Sequence, residues 1–117
     1  MKAIIELNAK GSIFRTAREQ LAGARRGRRT DYRLSFQSAK TLFSEFTPAR
    51  IELLDTLRKN GPCSVYALAK AAERNYSNVH TDIARLEELG LVERNEDGAV
   101  TVPFDAVEIR VPLAKVA

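Results

Sequence analysis

The chain has a single cysteine, Cys63, so no disulfide can close within it and a lone thiol does not make a zinc site. It has a single histidine, His80, far from Cys63 in sequence and with no recognisable ligand spacing, so no metal is expected. No apolar run approaches the roughly 20 residues that a membrane helix needs. The apolar stretch between Met1 and Leu7 is too short for a signal peptide. Internal repeats and low-complexity stretches are lacking as well. No serine, cysteine or carboxylate constellation suggests catalysis, so neither an enzyme nor a cofactor is expected. Together these absences point to the cytoplasm and away from a membrane partner. Cys63, between Pro62 and Ser64, reads as a small part-buried residue, although a place near a helix N-terminus favours a lowered thiol pKa.

What is present is a chain of 117 residues with 44% apolar content, enough for one packed domain with a small appendage. The net charge of +4 is unevenly placed. Residues 1–46 hold 10 Lys and Arg against 4 Asp and Glu, whereas residues 47–117 hold 9 against 11. Such asymmetry points to a polyanion or an acidic partner near the N-terminal part. Its focus is Arg25, Arg26, Arg28, Arg29 and Arg33. That cluster reads in three ways: a solvated helix end, an arm that contacts phosphates, or a dock for an acidic partner. Five neighbouring cations repel one another, which favours an anionic neighbour.

Hydrophobic spacing orders the rest. Lys2–Leu7 is a candidate strand, and Ser12 is placed to cap a helix over residues 13–25. Tyr32, Leu34 and Phe36 alternate with polar residues, as in a half-buried strand, and Ser38 precedes a two-turn helix over 39–46. Thr47-Pro48 is a helix start, with Ile51, Leu54 and Leu57 as the expected buried stripe and Asn60-Gly61-Pro62 as the stop. Ser64 precedes a second helix with Val65, Leu68, Ala69 and Ala72 inward. After a turn through Arg74-Asn75-Tyr76, Ser77 is expected to cap a third helix over 77–89, with Val79, Ile83, Leu86 and Leu89 on one face. Gly90 ends it. Asn95-Glu96-Asp97-Gly98 then separates two short strands, Val92-Glu93-Arg94 and Val100-Thr101-Val102, the strongest hairpin signal in the chain. Residues 106–111 form a last strand before Pro112.

Two helices, a strand, an Asp-Gly turn and a strand, in that order, outline a winged helix-turn-helix. In such a domain the second helix of the pair enters the major groove and its first residues meet base edges. Ser77, Asn78, His80 and Thr81 occupy that place here, with Arg85 on the flank. Asn pairs with adenine in a bidentate way, Ser and Thr are adaptable, and Arg or His reaches guanine or phosphate. Lys70, Arg74 and Tyr76 are placed for backbone contacts, and Arg94 is the one cation at the hairpin. The plainer reading is a solvated helix face in a structural or protein-binding domain. The acidic hairpin tip is expected to touch DNA little.

From Thr47 to Val102 the chain resembles winged helix-turn-helix regulators of the MarR-like type. The resemblance rests on Thr47-Pro48 with Leu53-Leu54, Asn60-Gly61-Pro62, Ser64 with Leu68-Ala69, Ser77-Asn78-Val79, and the run from Leu86 to Arg94. It places DNA contacts on Ser77, Asn78, His80 and Thr81, whereas the Asp-Arg-Arg wing of many such regulators is missing. Nearly the whole chain is also similar to a smaller group of prokaryotic proteins assigned to DNA binding. The pieces shared with that group are Ser35-Phe36-Gln37-Ser38 and Val102-Pro103-Phe104-Asp105, besides the first strand and helix. Some members resemble antitoxins paired with a small toxin.

The expectation is therefore an α+β fold, a winged helix-turn-helix with an N-terminal strand and helix extension and a C-terminal strand. Residues 1–46 would serve dimerisation or partner binding, and residues 47–117 would bind DNA. The expected function is a sequence-specific regulator of transcription on double-stranded DNA, a homodimeric repressor. The alternatives are an antitoxin that represses its own operon and binds a cognate toxin, or a winged helix that binds protein.

Overall fold

A computed structural model of the chain describes residues 1–7 and 31–114. The helix expected over 13–25 and the arginines at 25, 26, 28 and 29 lie outside the described residues. The fold is α+β: among the described residues there are four helices, a three-stranded parallel sheet and a two-stranded antiparallel hairpin. The chain divides into two compact units, residues 1–45 with 106–117, and residues 46–105.

The first unit is built on β1 (Lys2–Leu7), β2 (Tyr32–Phe36) and β5 (Ala106–Arg110). β1 lies in the middle and pairs in parallel with both neighbours, Ile5 beside Leu34 on one side and beside Ile109 on the other. Side chains alternate across a strand, so this register sorts the sheet into two faces. Ala3, Ile5, Tyr32, Leu34 and Phe36 form an apolar face and are buried. The opposite face is charged around a buried Ile4: Arg33 bonds Glu6 at 3.2 Å and Lys2 bonds Glu108 at 2.9 Å. Arg110 adds a second cation to Glu108 at 3.1 Å. The Lys2 and Arg110 bonds hold the Glu108 carboxyl below its ordinary pKa. Helix α1 (Ala39–Glu45) follows β2, with Ser38 capping the Thr41 N–H and Leu42 fully buried.

The second unit begins at residue 46, and the last strand does not join the helices that precede it. Residues 106–110 hydrogen-bond to β1, so the unit of three helices and hairpin ends at Asp105. In sequence it is an insertion between α1 and β5.

That second unit opens with α2 (Pro48–Asn60), where the Thr47 hydroxyl accepts from the Arg50 N–H and Pro48 occupies the first turn. Both choices satisfy or remove amide donors that lack intrahelical acceptors. Its buried stripe is Leu53, Leu54 and Leu57, whereas Ile51 is 41% exposed. At 100° per residue Ile51 falls roughly 110° from the centre of that stripe, which explains the difference from expectation. Gly61, at φ 73°, closes the helix by donating to the Leu57 carbonyl.

Helix α3 (Val65–Ala72) starts on Ser64 and buries Val65, Leu68 and Ala69, while Ala72 is half-buried. Helix α4 (Tyr76–Glu88) buries Val79, Ile83 and Leu86 and ends at Gly90, φ 82°. There Gly90 donates to Glu87 and Leu91 to Leu86, the paired bonds of a Schellman turn that needs a left-handed residue. The hairpin of β3 (Glu93–Arg94) and β4 (Val100–Thr101) follows. Its loop is tied by Asn95, whose side chain accepts from the Asp97 and Ala99 amides, with Gly98 at φ 83°. Each buried Leu, Ile or Val in this core contributes about 1.5–3 kcal/mol. Among the described residues no helix is long and apolar enough to cross a membrane.

Candidate functional site

The first turn and a half of α4 presents an exposed polar surface. Val79 and Ile83 fix its inner face, and the spacing then turns Ser77, Asn78, His80 and Thr81 to solvent. The helix begins earlier than expected. Asn75, not Ser77, is its N-cap, accepting from the Asn78 N–H at 3.3 Å. Asn serves as well as Ser in that position, and Glu73 in the left-handed region aims the chain so that Asn75 meets the helix end. The Ser77 hydroxyl is therefore not spent on capping. The first-turn amides, which have no intrahelical acceptor, lie beside it. Thr81 donates its hydroxyl to the Ser77 carbonyl at 3.0 Å, leaving an oxygen that can still accept.

Next to this turn lies an aromatic and basic group. Tyr76 is 48% exposed, with its ring centroid 5.8 Å from that of His80 and 6.3 Å from that of Tyr66. Lys70 places its Nζ 5.4 Å from the Tyr66 ring centroid, a weak cation–π contact. Tyr66, itself 60% exposed, was missed by sequence reasoning. The signal was available: Tyr66 and Lys70, like Tyr76 and His80, are four residues apart on a helix and so share a face.

The arginines expected here are held by carboxylates. Asp82, on the flank of α4, accepts from Arg50 Nε at 3.0 Å and from Arg74 Nη2 at 2.8 Å. Three stretches of chain, α2, the α3–α4 turn and α4, are thereby joined through one carboxylate. Arg50 was missed as a member. Arg85 bonds Glu88 at 2.8 Å on the same helix. Arg94 meets both oxygens of Glu87, Nη2 to Oε1 at 2.6 Å and Nε to Oε2 at 3.3 Å, and also donates to the Gly98 carbonyl. The bond to Glu87 raises the Arg94 pKa further above its ordinary value. Arg94 thus ties the hairpin loop to the C-terminal half of α4.

Residues 46–105 contain 7 Lys and Arg against 10 Asp and Glu, a balance of −3. Six of the 7 donate to a partner within the unit, since Arg58 bonds the Val102 carbonyl and Lys59 bonds Asp55. Lys70 has no carboxylate partner among the described residues. What the surface offers is mainly hydrogen-bonding groups on a rigid helix, with little free positive charge.

Arg33 of the N-terminal cluster is on the first unit, paired with Glu6. Cys63 lies in the loop before α3, and its backbone exchanges two hydrogen bonds with Val100, adding a third backbone segment to the hairpin. The side chain is part-buried, and burial pushes its thiol pKa up.

Fold and surface together define an α+β protein with a polar, exposed helix start in a unit of three helices and a hairpin. Residues 45–109, more than half of the chain, match the HVO_A0114 family, and the chain belongs to it. No curated protein matches the chain. No solved structure matches it either.

Proposed function

We propose that this protein is a sequence-specific regulator of transcription that binds double-stranded DNA as a homodimeric repressor. In this reading the unit 46–105 is a MarR-like winged helix-turn-helix and α4 lies in the major groove. The observation that carries it is the outward set Ser77, Asn78, His80 and Thr81 on the first turn and a half of a helix whose opposite face is buried. Asn78 and Thr81 would read base edges. Lys70, Tyr76 and the first-turn amides of α4 would meet phosphates. Arg74 and Arg94 would act at the margin of the same surface, each already held by a carboxylate.

The test is fluorescence anisotropy on duplex DNA from the region upstream of the gene, against a random duplex and over a salt series. Each base contact is worth about 1–3 kcal/mol, so Asn78→Ala combined with Thr81→Ala should cut the preference at least about 30-fold. A double variant that keeps the parental ratio between specific and random DNA removes α4 as the reading helix. One observation favours a second reading, a winged helix that binds protein. The balance of −3 on residues 46–105, with six cations committed internally, suits a basic protein partner. Affinity for all duplexes that vanishes at every salt concentration would select that reading.

A further inference from the structure

β5 is an edge of the parallel sheet: among the described residues it pairs with β1 and with no other strand. The apolar face of the sheet runs out into solvent there. Ile5 beside it is fully buried, but Ile109 is 37% exposed and Val111 43% exposed. An open strand edge with an exposed apolar row is a template for pairing with another chain.

We propose that β5 pairs antiparallel with β5 of a second copy of this chain, about a two-fold axis at Ile109. Charge selects this arrangement. Glu108 and Arg110 stand on one face of the strand, and residues directly opposite in an antiparallel pair share a face. With the axis at Ile109, Glu108 of each copy lies opposite Arg110 of the other, and Val107 lies opposite Val111. An axis at residue 108 or 110 sets glutamate against glutamate or arginine against arginine. Parallel pairing in register does both. The favoured register also covers Ile109 and Val111 with apolar side chains. Pro112, which lacks an N–H, falls at the end of the ladder. Two three-stranded sheets would thereby become one of six strands. This supplies the contact surface of the homodimer proposed above and rests on that reading for the dimer alone.

Cysteine cross-linking tests the register, with Cys63→Ser as background so that the introduced thiol is the sole one. Ile109→Cys brings two thiols together on the axis, where opposed Cα atoms lie about 4.5–5.5 Å apart and a disulfide can form. Val107→Cys and Val111→Cys each place like positions about 13 Å apart and should not cross-link alone, yet a mixture of the two should. Arg110→Glu sets like charges opposite each other and should weaken the dimer roughly tenfold or more by analytical ultracentrifugation. Adding Glu108→Arg to that variant restores opposite charges and should restore the dimer. A parent chain that stays monomeric at about 100 μM overturns the proposal. So does Ile109→Cys cross-linking no better than Val107→Cys alone. Because the cross-links are read without DNA, their loss with DNA preference intact refutes the β5 interface alone. Intact cross-links with no DNA preference refute the DNA reading alone.

Discussion

Asp82 is the residue whose removal should most disturb the unit that carries α4. Its carboxylate takes one bond from Arg50 at 3.0 Å and one from Arg74 at 2.8 Å. The three side chains are 16%, 15% and 29% exposed for Arg50, Asp82 and Arg74. An exposed ion pair contributes about 0–1 kcal/mol, whereas truncating one partner of a buried pair costs about 3–5 kcal/mol. The Asp82 group stands nearer the buried limit, and two cations lose their shared anion at once. Arg74 Nη1 is already buried with no hydrogen-bond partner, so that guanidinium has little room to find a substitute. Alanine is the better helix former by up to about 0.7 kcal/mol, which works in the opposite direction. The net expectation for Asp82→Ala is a loss of about 2–3 kcal/mol. Urea unfolding followed by circular dichroism at 222 nm reads it directly. With a slope near 1 kcal/mol per molar urea, the midpoint should fall by about 2–3 M with the slope unchanged. The coupling between Asp82→Ala and Arg50→Ala in a double-mutant cycle should reach about 1 kcal/mol. A loss below about 0.5 kcal/mol, at unchanged slope, would refute the claim that this carboxylate joins α2, the turn and α4.

Two further changes test the turn and the sheet. Glu73 sits at φ 54°, a left-handed conformation that costs a residue with a side chain about 1–2 kcal/mol. Glu73→Gly should therefore raise stability by about 0.5–1 kcal/mol after glycine's extra chain entropy is subtracted, and a thermal midpoint at or below the parent's would refute this. In the sheet, burial pushes the Tyr32 phenol well above its ordinary range. The folded state then keeps its proton above about pH 10 while the unfolded chain loses it, so stability falls as pH rises, by up to about 1.4 kcal/mol per unit. Tyr32→Phe should flatten that decline between about pH 10 and pH 12, and an equal slope in both proteins would overturn the assignment.

Local chemistry was the readable part of this chain. Thr47-Pro48, Ser64 and Gly90 do what their residue types dictate, because caps and stops depend on a few neighbouring backbone groups. The hairpin after Gly90 and the alternation of Tyr32, Leu34 and Phe36 were legible for the same reason. The start of α4 was not, since Asn75 and Ser77 are equally suited caps by residue type. The partner of β5 was not legible either. Alternation marks a strand but does not say which strand lies beside it, and β1 is more than a hundred residues away in sequence. The outward residues of α4 followed from its apolar period. The bonding of Arg50, Arg74 and Arg94 did not, because each depends on a carboxylate brought close by packing.

The distribution of charge bears on how such a surface would meet a polyanion. Residues 46–105 carry −3 while the whole chain carries +4, so the remaining residues carry +7. Asp82, Glu87 and Glu88 neutralise the arginines nearest α4. Counterion release scales with the cations that reach phosphates, and this unit has few to offer beyond Lys70 and the helix N-terminus. Neutralised arginines still fix geometry: Arg74 and Arg94 hold the turn and the hairpin against α4 more firmly than solvated cations would. In the DNA reading, then, the unit that discriminates bases contributes little non-specific attraction, which falls instead to the basic unit. Base discrimination and the salt dependence of affinity would thus belong to different residues. An interface in which one set of side chains supplied both could not be taken apart in that way.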